Sequence, residues 1–318
     1  MKLQNFQENK YAEDITLKQF DGNDDWLKKA SILSEALPYM QRFAGETFVI
    51  KYGGAAMTDE KLSATFAHDV VLLKQIGINP VIVHGGGKKI SEVLKTLKID
   101  SKFINGLRVT DKFTIEIVEM VLCGHVNKKI TQLINSAGGS AIGLSGKDCN
   151  LIEAKKIPIT HKESELNNIE KIIDMGFVGE PSNVNPDILF FIEESDFIPV
   201  IAPICGGEDG ITYNVNADSV ASAIATAISA SKLVMLTNVR GVADSDGNII
   251  SEMSTTEANN LIKLGAAKEG MIPKLLSCIK TVKGGCEMAH ILDGRIPHVL
   301  LLELFTEHGI GTIIVDNL

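Results

Sequence analysis

The sequence lacks the features that mark several large classes of protein. Its formal net charge is −9, because 40 acidic residues outnumber 31 lysines and arginines. A nucleic-acid-binding protein needs a concentrated basic face, so we expect no nucleic acid among its partners. No run of the sequence approaches the roughly 18 apolar residues of a membrane-spanning helix. The polar N-terminus also lacks the apolar core of a signal peptide. We therefore expect a cytoplasmic protein that contacts no membrane.

Cysteine is scarce, and its spacing excludes the common cysteine motifs. The chain of 318 residues has five cysteines, at positions 123, 149, 205, 278 and 286. Their number is odd and no two form a C-x-x-C pair, which indicates small buried side chains in a reducing compartment. No second histidine or carboxylate stands at metal-ligand spacing from His84, so we predict no protein-bound metal. The glycine motifs GxxxxGK[ST] and GxGxxG are absent as well.

Two short apolar runs that end in glycines are the most informative feature that is present. The first covers residues 48–54 (FVIKYGG) and the second covers residues 81–87 (VIVHGGG), after which a helical pattern begins at Lys88. Glycine lets backbone N–H groups approach an anion closely, because no Cβ stands between them. The N-terminus of a following helix adds unpaired N–H donors and a partial positive charge. Two such loops, with Lys51 in the first, predict a site that holds phosphate from two sides.

Strand and helix patterns alternate along the chain from Thr47 onward. Buried parallel strands are predicted for the apolar runs at 47–51, 80–84, 140–145, 197–204 and 232–237. Helices are predicted at 59–76, 88–97, 112–136, 186–195, 216–230, 257–264 and 271–283. This alternation predicts an α/β fold in which helices cover both faces of a central, mainly parallel sheet.

Three parts of the chain depart from this alternation. Apolar residues recur at helical spacing over 26–43, which predicts an amphipathic helix ahead of the first strand. That helix packs either on its own domain or on a neighbouring subunit. Residues 151–183 are polar and contain short β-like pieces, which predicts a hairpin or flap. The apolar runs at 298–305 and 311–315 predict two further strands near the C-terminus.

Three basic side chains are candidates for binding an anion. Lys51 ends a buried run, where a lysine needs an anionic partner unless its side chain reaches solvent. Lys274 follows Pro273, a residue typical of the first turn of a helix. Arg108 lies in a turn beside a strand, where it is either a surface residue or a clamp for a carboxylate.

The polar segment NVNAD (214–218) precedes an alanine-rich helical pattern. Asn216 can cap this helix, and Asp218 suits its first turn. Capping by itself explains one or two of the three polar residues. Asn214 is left over and is a candidate for binding a ligand.

Five motifs together resemble the acetylglutamate kinases, a branch of the amino acid kinase family. In order along the chain they are KYGG (51–54), HGGG (84–87), NGLRVTD (105–111), NVNAD (214–218) and GMIPK (270–274). The resemblance covers about residues 36–315 and implies the three-layer αβα sandwich of the amino acid kinase fold. It implies that ATP, carrying Mg²⁺, phosphorylates the γ-carboxylate of N-acetyl-L-glutamate in arginine biosynthesis. Other family members, acting on aspartate, glutamate, carbamate or uridylate, and a non-catalytic arginine sensor are the alternatives.

The resemblance also assigns roles to individual residues. It implies that Lys51 and Lys274 contact the phosphoryl group in flight and that Asp218 holds the two lysines. It implies that Arg108 and Asn214 bind the α-carboxylate of the substrate. The remaining residues implied at the site are Asn216 and the glycines that supply backbone donors, namely Gly53, Gly54, Gly86 and Gly87.

The two ends of the chain resemble the arginine-inhibited branch of the family. This implies an N-terminal extension with an oligomerisation helix (1–45), an acetylglutamate-binding lobe (46–229) and a nucleotide-binding lobe with an arginine site (230–318). It also implies a hexamer, built as a trimer of dimers, and feedback inhibition by free arginine. The residues implied at the arginine site are Tyr39, Lys232, His290, Glu303 and Gly309.

Some features of the chain lie outside the family pattern. Asn238 stands where the family usually has aspartate, in a segment expected to contact the nucleotide, and Glu269 stands where glycine or aspartate is common. Neither change removes a phosphoryl-contacting lysine. The resemblance assigns no role to residues 1–24, and it leaves open whether a PII-type signalling protein binds.

Overall fold

The computed structural model describes residues 24–104, 106–157, 159–164, 167–244, 246–267, 270–305 and 309–316. For residues 24, 25, 55, 159–164 and 167–173 it describes the backbone alone. The chain divides into two units, Met1–Arg42 and Phe43–Leu318.

The described part of the first unit is helical. Helix α1 (Asp24–Phe43) begins there and ends at the first residue of the second unit. The helix predicted over 26–43 is therefore confirmed. Several of its large apolar side chains are exposed, namely Trp26, Leu27, Ile32, Leu33 and Leu37.

Strands and helices alternate through the second unit. Its strands are β1 (Thr47–Tyr52), β2 (Asn79–His84), β3 (Phe103–Ile104), β4 (Leu107–Arg108), β5 (Ala141–Ser145), β6 (Ile152–Lys156), β7 (Ile159–Ser164), β8 (Asn167–Ile173), β9 (Val178–Val184), β10 (Ile198–Ala202), β11 (Ile204–Gly206), β12 (Thr212–Val215), β13 (Lys232–Thr237), β14 (Glu252–Ser254), β15 (Met288–Asp293) and β16 (Thr312–Val315). Its α-helices are α2 (Glu60–Gln75), α3 (Gly87–Thr96), α4 (Lys112–Glu119), α5 (Asn127–Ser136), α6 (Asp187–Glu194), α7 (Ala217–Ala227), α8 (Thr255–Lys263), α9 (Ile272–Lys283) and α10 (Val299–Phe305). A π-helical segment, Met120–Val126, joins α4 to α5, and short 3₁₀ turns cover Gly54–Met57 and Asp148–Asn150. None of the described helices is long and apolar enough to cross a membrane.

The eight-stranded main sheet has the order β14-β16-β15-β13-β1-β2-β10-β5. The strands from β15 to β5 run parallel, whereas β16 is antiparallel to β15. Every residue of β13 is buried, which is typical of a parallel strand covered by helices on both faces. The α/β fold with a central, mainly parallel sheet is confirmed.

A second, smaller β-structure lies between β5 and α7 in the sequence. Strands β6, β9, β12 and β11 pair with one another in a closed ring. The strands β7 and β8 pair antiparallel to each other, so the hairpin predicted within 151–183 is present.

Several helices begin at a residue whose side chain accepts a hydrogen bond from a backbone N–H group that would otherwise be unpaired. The carboxylate of Asp59 accepts from the N–H of Leu62 at 2.9 Å at the start of α2. Ser254 and Glu257 form a reciprocal capping box at the start of α8. These local signals set where the helices start.

The predicted C-terminal elements were partly wrong. The run at 298–305 forms helix α10 and not a strand, whereas the strand predicted at 311–315 is present as β16. Nearly every residue from Val299 to Phe305 is apolar, so the run has no periodicity that separates a helix from a strand. Strand β15 was not predicted, because His290 and Asp293 interrupt its apolar pattern.

Two predicted elements are divided in the structure. The helix predicted at 112–136 changes to π-helix over Met120–Val126 before α5 begins. The strand predicted at 197–204 ends at Ala202, and Pro203, which has no N–H to donate, separates β10 from β11. Neither break changes the order of the elements.

Candidate active site

The two glycine loops lie side by side because β1 and β2 are parallel neighbours. Tyr52 and His84, the last residues of these strands, are paired in register. The N–H of Gly85 donates to the carbonyl oxygen of Tyr52 at 2.9 Å, which ties the second loop to the first. Helix α3 starts at Gly87 with Gly86 as its N-cap, so its first N–H groups have no partner within the helix. The predicted juxtaposition of the two loops is therefore present.

A carboxylate joins the two predicted lysines at the same edge of the sheet. Asp218 is 6% exposed. The Nζ of Lys51 lies 2.9 Å from its Oδ1, and the Nζ of Lys274 lies 2.7 Å from its Oδ2. The Oδ1 of Asn216 caps helix α7 by accepting from the N–H of Asp218 at 2.7 Å. Pro273 stands in the first turn of α9, as its position beside Lys274 predicts.

The charge of Asp218 is set by these two ammonium groups. Burial by itself would raise the pKa of Asp218, but the attraction of Lys51 and Lys274 outweighs burial and lowers the pKa to about 2. The carboxylate is therefore ionised at neutral pH. Since each ammonium has three N–H donors, both lysines keep donors for another anion. The three side chains together carry one excess positive charge.

Arg108 is buried, and its guanidinium donates hydrogen bonds to neutral oxygen atoms. Its guanidinium donates to the carbonyl oxygen of Gly87 at 2.9 Å and to the Oγ of Ser91 at 2.7 Å. It also donates to the Oγ of Ser101 and lies over the ring of Phe103. Burial lowers its pKa. Arg108 is only 5% exposed, so the alternative of a surface arginine is wrong. Among the described residues no carboxylate pairs with its guanidinium.

One cleft unites these groups. A cavity of about 260 Å³ lies between the glycine loops and the start of α7. Asn214 faces it from β12, with its Nδ2 3.4 Å from the Oγ1 of Thr110. Lys274 is not among the described residues that line this cavity, but its Nζ contacts Asp218, which does line it. The predicted site residues that line the cavity are Lys51, Gly53, Gly54, Gly86, Gly87, Arg108, Asn214, Asn216 and Asp218.

A second cluster of buried polar residues lies on β13, β15 and α10. The Nδ1 of His290 lies 2.8 Å from the Oε1 of Glu303, whose Oε2 accepts from the N–H of Ile310 at 3.0 Å. Lys232 is buried with its Nζ 4.4 Å from the centre of the Phe43 ring. We refer to Lys232, His290, Glu303 and Gly309 as the His290 cluster.

The His290 cluster contains an unsatisfied polar atom. Within the part of the chain that the structure describes, the buried Nε2 of His290 has no hydrogen-bond partner. Burial lowers the pKa of His290. For Glu303 burial acts to raise the pKa, but the bond to His290 and the nearby charges lower it overall. Tyr39, also predicted for this site, lies in α1 and in the other unit.

The structure adds contacts that motif analysis missed. Ser91 lies one helical turn after Gly87 and donates to its carbonyl oxygen at 3.0 Å. This spacing from the glycine loop could have indicated from the sequence that Ser91 lies near the site. Ser101 lies in an irregular segment and gave none. Asn238 lies close to Gly54, since a Cβ at Gly54 would collide with its side chain. Glu269 lies outside the described residues.

The depressed pKa of Asp218 predicts a pH-dependent contribution to stability. A folded-state pKa of about 2, against an ordinary value of 3.8, stabilises the fold above pH 4, and this is lost as the pH falls toward 2. We expect Asp218→Asn to lower the free energy of unfolding at pH 7 by about 2 kcal/mol. Urea unfolding should show the difference from wild type shrinking below pH 4. Asp100→Asn, at an exposed position, is the control. A difference that is constant with pH would contradict the assignment.

Comparison with known proteins agrees with this geometry. The sequence profile of the amino acid kinase family matches residues 46–293. The chain is 65% identical to the acetylglutamate kinase of Ehrlichia canis (strain Jake), over 100% of this chain and 99% of that protein. It is 57% identical to the acetylglutamate kinase of Rhodospirillum centenum (strain ATCC 51521 / SW), over 92% of this chain and 95% of that protein.

A solved structure shows the same arrangement of elements. The N-acetylglutamate synthase of Neisseria gonorrhoeae, in complex with coenzyme A and N-acetyl-glutamate, superposes with a TM-score of 0.78 at 26% identity. The match covers 91% of this chain, which spans 64% of the synthase. On the profile match and the identity to its relatives, the chain belongs to the amino acid kinase family.

Proposed function

We propose that this protein transfers the γ-phosphoryl group of ATP to the γ-carboxylate of N-acetyl-L-glutamate. The product would be N-acetyl-L-glutamyl 5-phosphate, an acyl phosphate on the route to arginine. The observation that carries the proposal is the shared cleft, in which Lys51 and Asp218 face Arg108 across the two glycine loops. The names of the full-length relatives supply the acceptor.

The proposed substrate fits the charges of the cleft. Arg108 is buried without a carboxylate partner among the described residues, and it would bind the α-carboxylate bidentately, with Asn214 beside it. The γ-carboxylate has an ordinary pKa of about 4.3 and is already ionised at neutral pH. It therefore needs no general base. The difficulty of the reaction is electrostatic, because an anion must attack a polyanion.

Lys51 and Lys274 would reduce this repulsion by contacting the phosphoryl group as it moves between donor and acceptor. Backbone N–H groups of Gly53, Gly54, Gly86 and Gly87 would bind its oxygens, as preorganised donors do in phosphoryl transfer. Asp218 would hold both lysines in place. Its two carboxylate oxygens are each engaged by a lysine, so magnesium would arrive with ATP and be held mainly by phosphate oxygens.

The two lobes would divide the substrates between them. We propose that residues 46–229 bind acetylglutamate, since Arg108 and Asn214 belong to that stretch. Residues 230–318 would bind the nucleotide, with Lys274 pointing from α9 toward the phosphoryl group. Asn238 follows β13 directly and lies beside Gly54, so it would contact the phosphates of the nucleotide.

Kinase assays with a panel of acceptors test the activity and the lysine together. Wild type should phosphorylate acetylglutamate in preference to aspartate, glutamate, carbamate and uridylate. Lys274→Ala should lower kcat by about 10²–10³-fold, as expected for the loss of one transition-state donor. Lys280→Ala, on the exposed side of the same helix, should leave kcat unchanged. Preference for another acceptor would refute the proposed substrate, and an unchanged kcat in Lys274→Ala would remove that lysine from the mechanism.

We also propose that free arginine, the end product of the pathway, inhibits the enzyme at the His290 cluster. Glu303 would bind the guanidinium or α-amino group, and Lys232 would bind the α-carboxylate. The unsatisfied Nε2 of His290 supports a ligand here. The cavity at this cluster holds only about 10 Å³, so arginine would bind a more open conformation and shift the population toward it.

A substitution of Glu303 tests the arginine site. Glu303→Gln keeps the shape of the side chain but removes its charge, and charge-assisted hydrogen bonds contribute about 1.5–3 kcal/mol. We expect the arginine concentration for half-inhibition to rise about 10- to 100-fold while kcat without arginine changes little. Glu252→Gln, on the exposed part of β14, is the matched control. Inhibition at the wild-type arginine concentration would exclude Glu303 from the site.

The first unit would join dimers into a hexamer built as a trimer of dimers. Helix α1 exposes large apolar side chains along its length, which is typical of a helix that packs on another chain. We expect the chain without residues 1–42 to form a dimer and the full chain to form a hexamer. Size-exclusion chromatography with light scattering measures both masses. A hexamer that persists after the deletion would contradict the proposed role of the helix.

A further inference from the structure

The second glycine loop is held from outside the cleft by a buried histidine. His84 is the last residue of β2 and is fully buried. Its Nδ1 lies 2.8 Å from the carbonyl oxygen of Gly85, the first residue of the loop. The backbone N–H of Gly85 is fixed as well, because it donates to the carbonyl oxygen of Tyr52. The loop is therefore clamped on both sides at its first residue.

Asn127 holds the second ring nitrogen of His84. Its Nδ2 lies 2.8 Å from the carbonyl oxygen of Val200, 3.1 Å from that of Leu144 and 3.2 Å from the Nε2 of His84. The two carbonyl oxygens orient the amide so that its NH₂ group faces the imidazole. Because the carbonyl oxygen of Gly85 can only accept, the imidazole hydrogen lies on Nδ1, and Nε2 accepts a share of the two hydrogens on the Asn127 Nδ2. Burial lowers the pKa of His84 to about 4, so the ring is neutral at physiological pH.

The π-helical segment brings this asparagine to the loop. Asn127 is the first residue of α5, directly after Met120–Val126. Each added residue in a helix rotates the following side chains by roughly 100°, so the wider π turn changes which of them face the sheet. Leu122 of the same segment covers Gly86 so closely that a Cβ at Gly86 would collide with it. The segment thus contacts the loop both directly and through His84.

We propose that Asn127 and His84 are positioning residues that hold the Gly85–Gly87 loop in the conformation that binds the phosphoryl group. The inference rests on the proposed function, because a phosphoryl-binding loop is needed only for phosphoryl transfer. Asn127 holds the imidazole ring of His84 through Nε2, and His84 fixes the carbonyl of Gly85. The alternative is that both side chains serve only the stability of the fold.

Replacing the asparagine separates these two roles. Asn127→Ala removes the donor to Nε2 and frees the imidazole to change tautomer or rotate. We expect kcat to fall about 10- to 100-fold, the effect typical of a small displacement of catalytic groups. The KM for acetylglutamate should stay within about threefold, because Arg108 keeps its bonds to Ser91 and Ser101.

Asn135→Ala is the matched control on the same helix. Asn135 also bonds to the chain around β5, because its Oδ1 accepts from the N–H of Ala141 at 2.6 Å. It does so at the opposite end of α5 from the glycine loop. A general loss of stability should therefore affect both variants, whereas the fall in kcat should occur in Asn127→Ala alone.

Hydrogen–deuterium exchange followed by mass spectrometry reads out the loop without any substrate. In Asn127→Ala the peptide covering residues 80–90 should exchange at least about tenfold faster than in wild type, and in Asn135→Ala it should not. This measurement does not depend on activity with acetylglutamate. An inactive wild type would refute the proposed substrate, and the exchange rates would then decide the positioning role.

Two substitutions of His84 decide the question if Asn127→Ala does not fold. The amide nitrogen of an asparagine can take the place of Nδ1 and donate to Gly85, whereas leucine cannot. We expect His84→Asn to have a kcat at least about tenfold higher than His84→Leu, since both lose the bond to Asn127. Equal activity in the two variants, or an unchanged kcat or loop exchange in folded Asn127→Ala, would overturn the proposal.

Discussion

A carboxylate buried between two ammonium groups is the interaction on which the rest of the site depends. Asp218 connects Lys51 on β1 with Lys274 on α9, while its own backbone begins α7. Both lysines are paired with this one carboxylate, and its removal would leave two positive charges facing each other. Because both oxygens of Asp218 are used, the lysines are aimed by the protein before any ligand binds. In the proposed reaction this arrangement is preorganisation, which lowers the cost of bringing two anions together.

The glycine loops acquire their geometry from bonds that lie outside the cleft. The 85–87 loop is bonded at Gly85 to Tyr52 and His84, and at Gly87 to Arg108. The residue proposed to bind the α-carboxylate is thus bonded to the loop proposed to bind the phosphoryl group. A substrate that reached Arg108 would place its other end beside this loop. The cleft therefore suits a ligand that has two separated anionic groups. The proposed acceptor, a dicarboxylate, is such a ligand.

The proposed regulatory cluster and the cleft share a strand. Phe48 and Lys51 both belong to β1, and in register with β13 they pair with Lys232 and Met235. Lys232 belongs to the His290 cluster, whereas Lys51 faces the cleft. The two sites are thus at opposite ends of one buried strand pair. An opening of the cluster by arginine would have a short physical connection to the lysine proposed to act in catalysis.

Local sequence patterns determined much of the fold and the composition of the site. Alternating apolar runs, the glycines after β1 and β2, the cap at Asn216 and the proline beside Lys274 are readable because each depends on neighbours in the chain. Other features depend on packing between distant residues. Residues 218 and 274 are 56 positions apart, and only the crossing of α7 and α9 joins them. The burial of Arg108, the helix at 299–305, the strand at 288–293 and the π turn before Asn127 were likewise decided by tertiary structure. An apolar run, a surface-like arginine and a long helical pattern are each compatible with several local conformations, and the contacts available in the folded chain select one of them.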